Sequence, residues 1–169
     1  MGTDIYMEWQ GKTEADNDKQ MEAILSVSGN VGYLRASIHM INENAVLRTV
    51  FPEKYWNERS KDEYDFKAGF EKLERLGIEY LQAVISGKEM EEPEGSNNLA
   101  SGKQAAAAIS QALAKAGWKL GGNEQIQVYC GKVEDFREAV EWLNEVFYFF
   151  EFGIRLQEKG LKPFPYISW

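Results

Sequence analysis

Four polar side chains within residues 33–40 are of the types that bind an anion. They alternate with apolar residues and are Tyr33, Arg35, Ser37 and His39. The arginine guanidinium offers a planar fork of donors, and histidine titrates near neutral pH. In a strand all four side chains share one face, whereas in a helix Arg35 and His39 are neighbours at i and i+4. The sequence therefore leaves the secondary structure of this segment open.

This polar group has two interpretations. In one, Tyr33, Arg35 and His39 bind a small anionic ligand or serve a hydrolase. In the other, Arg35 is a structural residue that pairs with a buried acid, and His39 faces solvent. A pocket around Arg35 and His39 would favour the ligand, whereas an exposed, flat aromatic patch would favour a protein partner.

An apolar run that begins at Val146 and ends at Ile154 interrupts a long, charged helical pattern. A helix that is apolar on all sides lies at the centre of a core or meets a partner. Glu151 is the one carboxylate in the run, and we expect it to be less than half exposed, because a buried acid without a partner is costly. Its candidate partners are Arg155, Arg35 and Arg48.

The same run, together with the aromatic tail from Leu161 to Trp169, is also a candidate interface. These segments carry more large apolar side chains than two neighbouring helices usually cover. Two assemblies follow: a monomer that buries the helix completely, or a homodimer in which the helix or the tail crosses a two-fold axis.

The elements that position these residues follow from hydrophobic spacing and turn residues. Residues 3–9 alternate and predict an N-terminal strand. Thr13 predicts a helix N-cap. Apolar stripes at helical spacing predict long helices over residues 61–86 and 133–159, which could pair antiparallel.

Between the long helices, Ser101 predicts the start of an Ala-rich helix that ends near Gly117. Residues 88–100 combine glutamates with Pro93, glycine and asparagine, which predicts a mobile acidic loop. The tail contains Pro163 and Pro165 and should be extended. We therefore expect a single domain over residues 1–169 with an α+β fold. It is mostly helical, with two long helices, a shorter Ala-rich helix and a small sheet that includes the N-terminal strand.

The composition limits the classes of partner and the cell compartment that we expect for this protein. The 169 residues carry a net charge of −8, and 44% are hydrophobic. No run of lysine or arginine is present, so we expect no nucleic-acid partner. The longest apolar run is too short to span a bilayer, and the first residues do not have the pattern of a signal peptide. The sequence predicts a cytoplasmic protein with no membrane partner.

Catalytic and metal-binding motifs are not predicted. Cys130 is the single cysteine and His39 the single histidine, which cannot form a standard zinc site. Buried cysteines are commonly inert, so a Cys130–His39 nucleophile is the weaker interpretation. Four glutamates follow one helical face without the Glu-x-x-His pattern of bundle metal sites and favour a solvated face. They are Glu134, Glu138, Glu141 and Glu145. We predict no catalytic residue, metal or cofactor.

Short motifs in the first third of the chain carry a resemblance. They are Gly2-Thr3-Asp4-Ile5-Tyr6, Gly11-Lys12-Thr13-Glu14 and Val31-Gly32-Tyr33-Leu34-Arg35. Together they resemble a family of uncharacterised bacterial and phage-associated proteins that begin with a similar strand and carry a Val-Gly-Tyr-Leu-Arg segment followed by histidine. Thr3 departs from the usual apolar residue, and Ile41-Asn42 from a Gly-Gly pair. The resemblance implies a shared N-terminal fold and no particular activity.

The sequence predicts a soluble, non-enzymatic protein that acts by binding a partner or a second copy of itself. The first alternative is an anion-binding protein or hydrolase that uses Tyr33, Arg35 and His39. The second alternative is an acidic mimic of nucleic acid, which would present carboxylates spaced like phosphates on one face.

Overall fold

A computed structural model of the chain describes residues 2–25, 28–37, 40–86, 89–90 and 133–169. The elements in chain order are β1 (Gly2–Glu8), α1 (Glu14–Glu22), β2 (Tyr33–Ser37), α2 (Ile41–Val50), α3 (Glu53–Trp56), α4 (Phe66–Ser86), α5 (Val133–Glu158) and β3 (Phe164–Ser168). Short 3-10 turns, Ala23–Leu25 and Gly29–Val31, separate α1 from β2. The predicted α+β fold, mostly helical with a small sheet, is confirmed.

Some predictions fall outside the described residues. The Ala-rich helix after Ser101 lies there, as do His39 and Cys130. The proposed acidic loop over residues 88–100 also lies there, apart from Glu89 and Met90.

Within the described residues, the sheet has three antiparallel strands in the order β2-β1-β3. The predicted N-terminal strand is therefore its centre. Burial alternates along β1, with Thr3, Ile5 and Met7 buried. This inner face belongs to the same hydrophobic core as the long helices. The opposite side, which we call the outer face, consists of Asp4, Tyr6, Glu8, Tyr33, Arg35, Ser37, Phe164, Tyr166 and Ser168.

The two long helices, α4 and α5, pack against each other in opposite directions. Their contacts pass from Phe66–Gly153 through Phe70–Phe147 and Gly77–Leu143 to Tyr80–Trp142. Residue numbers rise along α4 as they fall along α5, so the helices are antiparallel, as the sequence suggested. Glycine at 153 lets α5 approach the Phe66 ring, because a Cβ there would lie 2.5 Å from that ring.

Helix α4 begins at Phe66, not at residue 61 as predicted, because Asp65 caps it. The Asp65 Oδ1 accepts a hydrogen bond from the backbone N–H of Ala68 at 3.2 Å. Gln157 of α5 reinforces this end of the helix, since its Oε1 accepts from the Phe66 N–H at 2.9 Å. Helix N-termini leave free N–H groups, and these side-chain oxygens satisfy them.

Aromatic rings fill the centre of the core. Phe51 stacks on Phe150 with ring centroids 5.5 Å apart, and Tyr64 meets Phe66 edge to face at 4.7 Å. The Tyr64 hydroxyl donates to the carbonyl oxygen of Val50 at 2.8 Å. Burial raises the pKa of Tyr64. This cluster joins α4 and α5 to the end of α2, and it belongs to the same core as the inner face of the sheet.

Candidate functional site

The segment that contains Tyr33, Arg35 and Ser37 is a strand, and the three side chains lie on the outer face. This settles the choice between helix and strand that the sequence left open. His39 lies outside the described residues, so its expected place beside Arg35 stays a prediction.

Tyr33 is not available to a ligand. Its side chain is fully buried, and its hydroxyl donates a hydrogen bond to Asp4 Oδ1 at 2.6 Å. Burial, with the hydrogen bond to Asp4, raises the pKa of Tyr33 far above its ordinary value. Tyr33 is therefore a neutral residue that orients the Asp4 carboxylate.

Arg35 faces Asp4 across the β1–β2 pair. The Arg35 Nε lies 3.7 Å from Asp4 Oδ1, which is within ion-pair range but too long for a hydrogen bond. The Arg35 side chain is 44% exposed and that of Asp4 29%. The acid that accompanies Arg35 is therefore Asp4. Sequence reasoning missed it because the cross-strand register depends on contacts that are distant in sequence.

The prediction of a buried acid at Glu151 is wrong. Glu151 is exposed. The buried residues of this run are Val146, Phe149, Phe150 and Gly153, which form one helical stripe. Glu151 lies off that stripe, on the continuation of the exposed face that carries Glu141 and Tyr148. The spacing of the acidic residues along α5 already contained this signal.

The arginines expected beside Glu151 have other neighbours. The Arg48 guanidinium lies 4.5 Å from the ring centre of Trp56 and 5.5 Å from that of Trp169. Arg155 lies over Phe152 at 5.9 Å. Stacking on aromatic faces is a common environment for arginine.

A row of tyrosines crosses the outer face. Tyr6 is paired with Tyr33 on one side and with Tyr166 on the other. The ring centroids are 5.3 Å and 6.4 Å apart, respectively. Tyr33 is buried, Tyr6 half-buried, and Tyr166 is 38% exposed. The solvent-facing part of the row is therefore Tyr6 and Tyr166.

The free edge of β2 is closed to an added strand. The backbone N–H of Met7 donates a hydrogen bond to the carbonyl oxygen of Gly32. Hydrogen-bonded and non-hydrogen-bonded pairs alternate along antiparallel strands, so the backbone N–H and C=O groups of Tyr33, Arg35 and Ser37 point away from β1. Each of these three residues has one outward backbone group that already bonds to a partner within the chain. The Tyr33 N–H donates to Ser28, the Arg35 carbonyl accepts from Trp142 at 3.0 Å, and the Ser37 carbonyl accepts from Asn44 at 2.8 Å.

The free edge of β3 is closed in a different way. By the same alternation the backbone of residues 163, 165 and 167 points outward. Pro165 has no N–H to offer, and proline at an edge strand prevents further pairing. The Pro163 carbonyl already accepts from the Tyr64 N–H at 2.9 Å. Neither edge is a ready site for strand addition, which leaves the outer face itself.

The charge of Glu8, at one end of the outer face, is balanced within the chain. Its Oε1 lies 2.6 Å from the Lys12 Nζ, which also donates to Gln20 Oε1 at 2.7 Å. Gln20 is 1% exposed and donates to the carbonyls of Met7 and Gly32, each at 3.1 Å. This buried amide fixes α1 to the end of the sheet.

An acid pair lies away from the sheet, and sequence reasoning missed its environment. Burial and the nearby carboxylate of Glu138 raise the pKa of Glu43 to about 7. Glu43 is on α2 and Glu138 is on α5. Glu43 also lies near Tyr80 of α4, whose pKa is raised by burial and by Glu43. Tyr80 in turn packs against Trp142 with centroids 5.2 Å apart. Glu43 can therefore change protonation near neutral pH.

The apolar run serves this chain's own core. Val146, Phe149 and Phe150 are fully buried, while Tyr148 is 42% exposed. The tail is extended, as predicted, and forms β3, whose Ile167 is buried. The homodimer through this helix or the tail stays a prediction.

Within the described part of the chain, no helix has both the length and the apolar character needed to cross a bilayer. Among the same residues, no group of three or more His, Cys, Asp or Glu side chains is placed to hold a metal ion.

Comparisons with family models, with curated proteins and with solved structures find no match to this chain. The resemblance of the first third of the chain to an uncharacterised family therefore stays a prediction.

Proposed function

We propose that this protein is a non-enzymatic binding protein that recognises another protein through the outer face of its sheet. The supporting observation is the pair formed by half-buried Tyr6 and exposed Tyr166, which lies beside the Asp4–Arg35 ion pair. Tyrosine and arginine are enriched where protein interfaces concentrate their binding energy. The closed edges of β2 and β3 favour recognition by side chains over strand addition.

The alternative built on Tyr33, Arg35 and His39 has less support. Tyr33 is buried and donates its hydroxyl to Asp4. An anion at Arg35 would also have to approach the Asp4 carboxylate, which opposes it. Arg35 is 44% exposed on a sheet face, an arrangement that suits a contact surface better than an enclosed reaction site.

Selection of random displayed peptides on the purified protein tests this function. Selected peptides should bind the wild type and lose at least tenfold in affinity on a Tyr6→Ser/Tyr166→Ser variant. Tyr148→Ser is the matched control, because Tyr148 is also exposed, at 42%, but lies on α5. Thermal unfolding of each variant checks that the sheet remains intact.

Peptides that lose affinity on Tyr148→Ser and keep it on the double variant would place the binding surface on α5. That result would overturn the assignment to the outer face. Failure of the selection to yield any binder would remove the support for a peptide-binding function.

A further inference from the structure

Among the described residues, no lysine or arginine lies over the rings of the tyrosine pair on the outer face, Tyr6 and Tyr166. Elsewhere in the described chain, cations lie over aromatic rings in the pairs Lys12–Trp9, Arg48–Trp56, Lys54–Tyr55 and Arg155–Phe152. Tyrosine rings attract cations through their electron-rich faces, so this pair can receive one from outside.

The electrostatic field near Tyr6 also favours a cation. Burial raises the pKa of Tyr6, and the next largest influence is the Asp4 carboxylate, which outweighs the opposing Arg35 guanidinium. The net charge of −8 acts in the same direction at longer range. The same negative potential would repel an anionic ligand.

The size of the outer face favours a short segment over a folded partner. Three strands and five residues per strand span roughly 250 Å² at ordinary strand spacing. A standard interface buries about 800 Å² on each partner. The outer face by itself is therefore too small for a stable homodimer, but it matches a few residues of an extended peptide.

We infer that the outer face binds a basic segment of a partner protein, with an arginine or lysine of that segment over Tyr6 and Tyr166. This inference rests on the proposed function. Asp4 faces Arg35 on one neighbouring strand and Ser168 on the other. The incoming cation therefore lies on the Ser168 side, where Asp4 attracts it and Arg35 is farther away.

The test uses three glycine-rich heptapeptides that differ only in two positions, which are arginine, glutamate or leucine. Binding to the full chain is followed by NMR, with 3-fluorotyrosine reporting on Tyr6 and Tyr166. The arginine peptide should shift both signals and bind more weakly as salt rises. Removing one ring, in the variant Tyr166→Leu, should weaken the affinity for the arginine peptide about two- to fivefold. The control Tyr148→Leu should leave its affinity unchanged.

A second variant, Asp4→Asn, removes the negative charge and keeps an oxygen acceptor for Tyr33. It should abolish the preference for the arginine peptide over the glutamate peptide. Equal or stronger binding of the glutamate or leucine peptide by the wild type would overturn the basic-segment inference and leave the proposed function intact.

Shifts of the same tyrosine signals with protein concentration alone would identify a second copy as the occupant and overturn the inference. If no peptide shifts these signals, the inference fails, and the library selection separately decides whether the outer face binds peptides at all.

Discussion

The indole N–H of Trp142 donates a hydrogen bond to the carbonyl oxygen of Arg35 at 3.0 Å. This bond joins α5 to the free edge of β2, and it fixes the backbone from which the Arg35 side chain extends to the outer face. A helix in the second half of the chain thereby helps to position a candidate binding residue in the first.

Trp142→Phe should lower the free energy of unfolding by about 1–2 kcal/mol, because the carbonyl loses its donor in a largely buried place. Chemical denaturation measures the loss. Trp169→Phe is the control, since Trp169 Nε1 makes the same type of bond to the Trp56 carbonyl at 3.1 Å but is 67% exposed. Water can replace that bond, so an equal loss in both variants would contradict a special role for Trp142.

Glu43→Gln should flatten the dependence of stability on pH. The pKa of Glu43 in the folded chain is about 7, above the ordinary value of 4.5, so the folded state holds the proton more tightly. Glu43 therefore favours folding below pH 4.5, and this contribution is lost as pH rises to about 7. At pH 8 the Glu43→Gln variant should therefore have a free energy of unfolding roughly 1–3 kcal/mol higher than that of the wild type.

Denaturation at pH 5 and pH 8 measures this effect, with Glu74→Gln as the control because Glu74 is exposed on α4. Besides burial, the group that raises the pKa of Glu43 is Glu138 of α5, and Glu43 in turn raises the pKa of Tyr80 of α4. Parallel pH profiles for wild type and Glu43→Gln would rule out the raised pKa.

Gly153→Ala should destabilise the chain, although alanine is the better helix former. The added Cβ would lie 2.5 Å from the Phe66 ring, which is held in the aromatic core. Overpacking of this kind costs about 1–3 kcal/mol, against a gain of about 1 kcal/mol in helix propensity.

The comparison is Gly77→Ala, whose Cβ would lie 3.1 Å from a methyl group of Leu143. The Leu143 side chain can move slightly, so the melting temperature of the Gly77→Ala variant should change little. A Gly153→Ala chain at least as stable as Gly77→Ala would show that α4 and α5 are less tightly packed.

Gln20→Met should lower stability by about 2–4 kcal/mol, because it removes the amide from two buried carbonyls and from Lys12. Gln10→Met changes the same atoms at an exposed position and should be close to neutral. Denaturant midpoints of the two variants give the comparison. Similar midpoints would mean that α1 does not depend on Gln20.

Features that depend on neighbouring residues could be predicted from the sequence. Alternation identified β1, and helical spacing identified α4 and α5. Thr13 caps α1 as expected, with its hydroxyl accepting from the Asp16 N–H at 3.3 Å. In each case the signal is a side-chain period or a cap within a few residues.

Features that depend on distant residues could not be predicted. The tail was expected to be extended, but nothing in its own residues identifies β1 as its partner. The same limit hid the pairing of Asp4 with Arg35 and the closeness of Glu43 to Glu138. Glu151 differs from these cases because a local signal was available. The acidic residues of α5 mark its exposed side, but the prediction followed the apolar run.

The position of β1 at the centre of the sheet also affects how the chain folds. Pairing of β1 with β3 joins segments about 160 residues apart, a separation that makes loop closure entropically costly. Pairs so distant in sequence form slowly in comparison with local ones. During synthesis β1 leaves the ribosome long before β3. The backbone groups of β1 that pair with β3 therefore lack that partner until β3 has been made. The β1–β2 pair and the intervening α1 can form earlier, and the outer face is completed only when β3 docks.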